Sequence, residues 1–125
     1  KMTIRVTCLI KRRPDLTHEQ FSEHWSKKHG EIFTSLKAVK TNIVRYNQFH
    51  VLEPQSRALA EAGLPIAEFD GAAEFWVDKL EDLLALFGDG EYLKNAVPDE
   101  ANFLDRSSVQ LLVGEDQTKW ERAKK

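Results

Sequence analysis

Residues 3–30 read Thr3-Ile4-Arg5-Val6-Thr7-Cys8-Leu9-Ile10-Lys11-Arg12-Arg13-Pro14-Asp15-Leu16-Thr17-His18-Glu19-Gln20-Phe21-Ser22-Glu23-His24-Trp25-Ser26-Lys27-Lys28-His29-Gly30. The apolar period changes once within this stretch. Ile4, Val6, Cys8 and Ile10 alternate with mainly polar neighbours, which predicts a strand with one buried face. Arg12 to Asp15 reads as a turn. Thr17 and Gln20 then have the spacing of a capping box, so a helix starts at Thr17 and runs to about His29, with Gly30 as the residue that ends it. A second helical stretch over 31–39 carries Ile32, Phe33 and Leu36.

Working outward, residues 43–52 alternate again and predict a second strand. Residues 54–70 contain Pro54 and Gly63-Leu64-Pro65, and read as a long connection with a short helix near Ser56–Ala62. A third strand covers Ala72–Val77. Leu80, Leu83, Leu84 and Phe87 recur at helical spacing, with Asp78 and Glu81 as a capping pair and Gly88-Asp89-Gly90 as the stop. Short helical pieces around Pro98 fill 91–105. Ser108–Val113 is the last strand, and 116–125 is a charged tail that reads as a helix. The order β-α-β-β-α-β is the ferredoxin-like split unit, an α+β fold with a four-stranded antiparallel sheet and helices on one face. The other face carries Leu9 and Trp76 among polar residues. It is too apolar for full exposure, so docking against a second copy is expected.

A chain of 125 residues is the length of one domain, taken as 1–125. Its 18 Lys+Arg and 20 Asp+Glu leave a formal charge of −2, without the basic excess that nucleic-acid or membrane-surface binding uses. A single cysteine, Cys8, excludes an internal disulfide and a multi-cysteine zinc site, and fits a reducing, cytoplasmic setting. No apolar run approaches the ~20 residues that span a bilayer. No metal, nucleotide-cradling or hydrolase-elbow motif is present.

Phe21, Trp25 and His29 progress slowly around one face of the first helix. His29 therefore ends an apolar stripe. It is either a structural histidine bonded to a carbonyl or a titratable group at the rim of an apolar pocket. Tyr46, Gln48 and His50 share one face of the second strand by the period of two and line either a cavity or a polar outer surface. Phe75 and Trp76 lie on opposite faces of the third strand. Pro98-Asp99-Glu100 either opens a helical turn or supplies a carboxylate that partners a histidine. His18 and His24 read as surface helix residues.

The run from Arg12 to Phe21, with His24-Trp25 and His29-Gly30, resembles the first helix of the EthD family. Val44-Arg45-Tyr46, Asp70 to Trp76, and Val97-Pro98-Asp99-Glu100 with Phe103-Leu104-Asp105 look like the fungal EthD-domain enzymes of aromatic polyketide pathways. The resemblance runs from Thr3 to about Val113. It implies a dimeric α+β barrel, with a pocket between sheet and helices in each protomer. It also implies a cofactor-independent lyase that decarboxylates or dehydrates an anthrone-type polyketide. His29 and Tyr46 match the histidine and tyrosine that line such pockets, and are assigned as catalytic. His50 joins them on strand parity alone. Trp25 and Phe75 are expected as pocket walls, and Asp99 as a further substrate contact. Decarboxylation of a β-keto acid leads, with dehydration, ring closure and a non-catalytic ligand-binding or accessory dimer as alternatives. A haem site on His29 or His50 is a third class.

Overall fold

A computed structural model describes residues 3–124. The alternation in the first stretch produces β1 (Ile4–Arg12), and Thr17 caps α1 (His18–His24) with both bonds of the capping box formed. Gln20 N–H donates to Thr17 Oγ1 at 3.1 Å, and Thr17 N–H donates to Gln20 Oε1 at 2.9 Å. The helix does not end at Gly30. It passes through a π-turn (Trp25–His29) into α2 (Gly30–Ser35), and Gly30 itself is helical at φ −58° and ψ −40°.

The reason lies in the spacing of the apolar stripe. Residues four apart drift by about 40° per step on a regular helix. A π-turn absorbs one extra residue and returns His29 to the side that Phe21 and Trp25 occupy. Gly30 N–H reaches back to the carbonyl of Trp25. A Cβ on Gly30 would lie 3.4 Å from Gln48 Nε2 on the neighbouring strand, so the glycine serves close approach and not helix termination.

After α3 (Lys37–Asn42) come β2 (Arg45–His50), α4 (Glu53–Glu61), β3 (Gly71–Val77), α5 (Leu80–Phe87), a second π-turn (Tyr92–Ala96), α6 (Val97–Glu100) and β4 (Leu104–Gly114). β2 is shorter than the alternation over 43–52 predicts, and α4 begins earlier than Ser56. The N-cap of α5 is Lys79 and not Asp78. The tail over 115–124 forms no helix; Asp116 instead pins it to β1 and β3 through Arg5 and Trp76.

Among the described residues the strands make one sheet in the order β2-β3-β1-β4, with every neighbouring pair antiparallel, as expected of a ferredoxin-like unit. Val6, Cys8, Tyr46, Gln48, Ala73 and Phe75 share the helix-covered face by register. The core falls into two parts. Val6, Phe33, Leu36, Phe75 and Leu86 gather in one, and Ile10, Phe21, Trp25 and Phe103 in the other. Fully burying an aromatic or Leu side chain contributes roughly 1.5–3 kcal/mol, so these residues fix the helix layer on the sheet.

The opposite sheet face is more polar than Leu9 and Trp76 suggest. Trp76 is already buried within one protomer, under the guanidinium groups of Arg45 and Arg5, 4.4 and 5.1 Å from its ring centre. Glu74, also buried, bonds Arg5 and accepts from Asn47 at 2.8 Å. Phe49 and Leu112 are the exposed apolar residues of that face. No helix among the described residues is long and apolar enough to cross a membrane.

Candidate active site

A cavity of about 260 Å³ opens at the seam of the two core parts. Small Ala73 leaves room there. Cys8, Tyr46 and Phe75 from the sheet form one side, and Trp25, His29 and Phe33 from the helix layer another. Tyr92, Glu100 and Phe103 close a third side. The register of β1 against β4 shifts between Leu9 and Lys11, and the loosened part of β4 brings Arg106 and Val109 to the same space. Such irregularities re-aim side chains toward sites.

His29 is buried, and its Nδ1 lies 3.0 Å from Asp99 Oδ2. The other oxygen of Asp99 faces His24 Nε2 at 2.9 Å and accepts from Asn102 Nδ2 at 3.1 Å. Burial pushes the Asp99 carboxyl up, but the bonds from Asn102, His24 and His29 outweigh it and hold its pKa below the ordinary value. An ionised Asp99 can only accept, so Nδ1 of His29 donates to it, and in the neutral imidazole this tautomer leaves the lone pair on Nε2. That arrangement is an imidazole oriented by a buried carboxylate, the pairing that suits a general base.

Tyr46 sits against Phe33 and Phe75, with ring centres 4.4 and 5.5 Å away. Burial raises its phenol to about 12, against a lowering by bonds to Gln48 and Trp25, so the hydroxyl stays protonated at neutral pH. Gln48 Nε2 donates to Tyr46 Oη and to the Trp25 carbonyl, both at 2.9 Å. With its oxygen accepting, Tyr46 is free to donate its own proton.

Trp25 and Phe75 are walls of the cavity, and His29 and Tyr46 reach it. Two expected site residues do not. His50 is on the sheet face that parity gives, but Trp25 stacks over it with ring centres 4.5 Å apart, and it is absent from the cavity wall. Its Nδ1 meets Ser22 Oγ and its Nε2 donates to Gln48 Oε1 at 2.8 Å. Parity fixes a face and not a depth, so His50 holds Gln48, which holds Tyr46. Asp99 is likewise absent from the cavity wall; it lies behind His29.

His18 and His24 are not free surface histidines. His24 shares Asp99 and stacks on Phe103 at 5.1 Å. His18 Nδ1 donates to Asp70 Oδ1 at 2.8 Å and Nε2 to the Val51 carbonyl at 2.7 Å. Both partners are acceptors, so the ring is held as the cation. Burial opposes this, but the bonds to Asp70 and Val51 raise its pKa. Asp70 in turn is pushed up by burial and pulled lower overall by the Arg12 backbone N–H, His18 and the Arg12 guanidinium. The stability from His18 is fully present below its unfolded value of 6.5 and lost as pH rises through the raised native value. The stability from Asp70 is present above 3.8 and lost as pH falls through its lowered native value. The urea midpoint of the wild type is expected to fall between mildly acidic and mildly alkaline pH, and His18→Gln to flatten that fall.

Gly71 follows Asp70 at the start of β3. A Cβ there would stand 2.6 Å from Trp25 Cζ3 and 2.7 Å from the Phe49 carbonyl oxygen. Neither backbone nor packed indole yields easily. Gly71→Ala is expected to lower stability by about 1–3 kcal/mol in urea unfolding and to tilt Trp25 out of the cavity wall.

The sequence profile of the EthD domain matches residues 13–107. A conidial pigment biosynthesis dehydratase from Metarhizium robertsii is 25% identical over 107 residues, covering 82% of this chain and 75% of that protein. An EthD-family protein from Bacillus halodurans superposes with a TM-score of 0.62 at 17% identity, over 93% of this chain and 100% of that one. A dimeric protein of ferredoxin-like fold and unknown function from Bacteroides fragilis gives 0.63 at 17% identity, over 91% and 96%.

Proposed function

Because the chain belongs to the EthD domain family, we propose that it is a cofactor-independent lyase that removes water from an aromatic polyketide. The observation that carries this reading is the Asp99-held His29 facing an aromatic-walled cavity, with the Tyr46 hydroxyl on the sheet side. The similarity to a protein named as a pigment biosynthesis dehydratase supports the same class.

Elimination needs one group to take a proton and a donor to hold the developing oxyanion. His29 Nε2 removes the acidic proton from the carbon next to a ring carbonyl. The electron pair moves onto the carbonyl oxygen, where the Tyr46 hydroxyl donates a hydrogen bond. The enolate then expels the hydroxyl from the adjacent carbon, and the proton on Nε2 leaves with it as water. His29 returns to its starting state, and no electron acceptor is required. Flat aromatic walls at Trp25, Phe33 and Phe75 suit a fused-ring substrate.

Loss of carbon dioxide from a β-keto acid is the second reading, since the same walls desolvate a carboxylate and the same donors hold the resulting enolate. Incubation with a panel of aromatic polyketides, followed by mass spectrometry, separates the two. Loss of the mass of water supports the first and loss of the mass of carbon dioxide the second. No mass change with any member of the panel contradicts both.

The chain pairs through its outer sheet face. Phe49 and Leu112 supply exposed apolar surface around the buried Glu74 network, and the Bacteroides fragilis protein of the same fold is dimeric. Light scattering is expected to give twice the 14.4 kDa chain mass, and Phe49→Asp to shift it toward one.

A further inference from the structure

Glu100 brings a carboxylate to the wall of a cavity otherwise made mostly of aromatic and aliphatic groups. Its side chain is 15% exposed. Tyr92 Oη donates to Oε2 at 3.1 Å, and Arg106 Nε approaches Oε1 at 3.5 Å. A carboxylate offers about four lone-pair sites on its two oxygens. These two contacts leave acceptor capacity on a group that borders the cavity. The proton-handling chemistry proposed for His29 and Tyr46 makes no use of it.

A charged acceptor in an apolar space is costly unless something hydrogen-bonds it. The group that completes it is a neutral donor, because the guanidinium already beside Glu100 balances its charge. On a fused aromatic ligand that donor is a phenolic hydroxyl. We infer that Glu100, its charge balanced by Arg106, is the subsite for a ring hydroxyl of the substrate, and selects hydroxylated arenes over their ethers. Asp99 and Glu100 are consecutive in α6, so the segment that orients His29 also fixes where the hydroxyl sits. This inference rests on the cavity being the substrate site.

The test uses naphthol and methoxynaphthalene as probes, which differ only in the hydroxyl hydrogen and a methyl group, with calorimetric titration of the full chain. Wild type is expected to bind naphthol about ten- to a hundredfold tighter than the ether, the range for a hydrogen bond to a charged group. Glu100→Gln is expected to remove most of that preference. Tyr92→Phe frees a further acceptor site on Glu100 and keeps the preference. His29→Gln also keeps it, whatever happens to turnover, which separates this inference from the lyase reading. Equal binding of the two probes by wild type, or binding of neither, overturns it. So does a preference that survives in folded Glu100→Gln. If Glu100→Gln does not fold, loss of the preference in Tyr92→Phe overturns it as well.

Discussion

His29→Gln is expected to stay folded and to lose about two to four orders of magnitude in turnover of an aromatic polyketide. Glutamine has a similar volume and retains a donor for Asp99, so the buried carboxylate keeps two of its three hydrogen bonds and gains a replacement for the third. What disappears is the imidazole proposed to take up and return the proton on the helix side of the cavity. The pH–rate limb set by that group should vanish with it. A histidine that served structure alone would behave in the opposite way. Its loss would lower stability by roughly 1–3 kcal/mol and leave the rate per folded molecule intact. Rates divided by the folded fraction, measured across pH, separate the two outcomes.

Asp99→Asn is expected to lower kcat by about two to four orders of magnitude with a smaller change in KM, because Asp99 lies behind His29 and off the cavity wall. The cause is a tautomer. Asn102 and His24 both donate to Oδ1 of Asp99, so an amide at this position turns its oxygen toward them. Its NH₂ then faces His29 Nδ1, which must accept. His29 is left with its proton on Nε2 and no lone pair toward the cavity. Replacing a buried carboxylate behind a catalytic imidazole by its amide acts through this switch elsewhere. Raising the pH does not restore the rate, since the tautomer and not the charge is at fault. Nitrogen shifts of His29 in the labelled protein should report the exchange from Nδ1–H to Nε2–H.

The fold was legible because each element is locally consistent. Thr17 and Gln20 announce the first helix, alternation marks β1 to β3, and the 80–87 stripe gives α5. Two features left no local mark. The π-turn differs from an α-turn by one hydrogen bond, and only the four-residue spacing of Phe21, Trp25, His29 and Phe33 hints at it. Gly30 therefore reads as a stop when it is a point of close approach to Gln48. The strand-like polarity of the outer face hid how far Arg5, Arg45 and Asp116 already cover Trp76.

For the site, stripe and parity put His29 and Tyr46 on inward faces, which is as far as periodicity reaches. What decides their chemistry is contact between residues remote in sequence. His29 and Asp99 are 70 residues apart, and His18 and Asp70 are 52 apart. The Pro98-Asp99-Glu100 segment offers a carboxylate for a histidine, but which histidine meets which carboxylate is set only by the fold, so His18 and His24 read as surface groups. His50 is on the face that parity gives, but the indole of Trp25 lies across it and keeps it off the cavity wall. Tyr92 and Arg106 leave no mark in the sequence because they come from short irregular pieces around Pro98 and from the loosened part of β4, where neither period applies; Glu100 reads only as one of two carboxylates after Pro98.

In the proposed reaction Asp99-held His29 moves a proton at the carbon beside a ring carbonyl. The measurement that meets it most directly follows deuterium exchange at that carbon in D₂O, by proton NMR, on a hydroxylated aromatic ketone that lacks the leaving hydroxyl and so cannot proceed to products. Wild type is expected to catalyse the exchange, and folded His29→Gln to lower it by about two orders of magnitude or more. Equal exchange in wild type and His29→Gln would contradict the account.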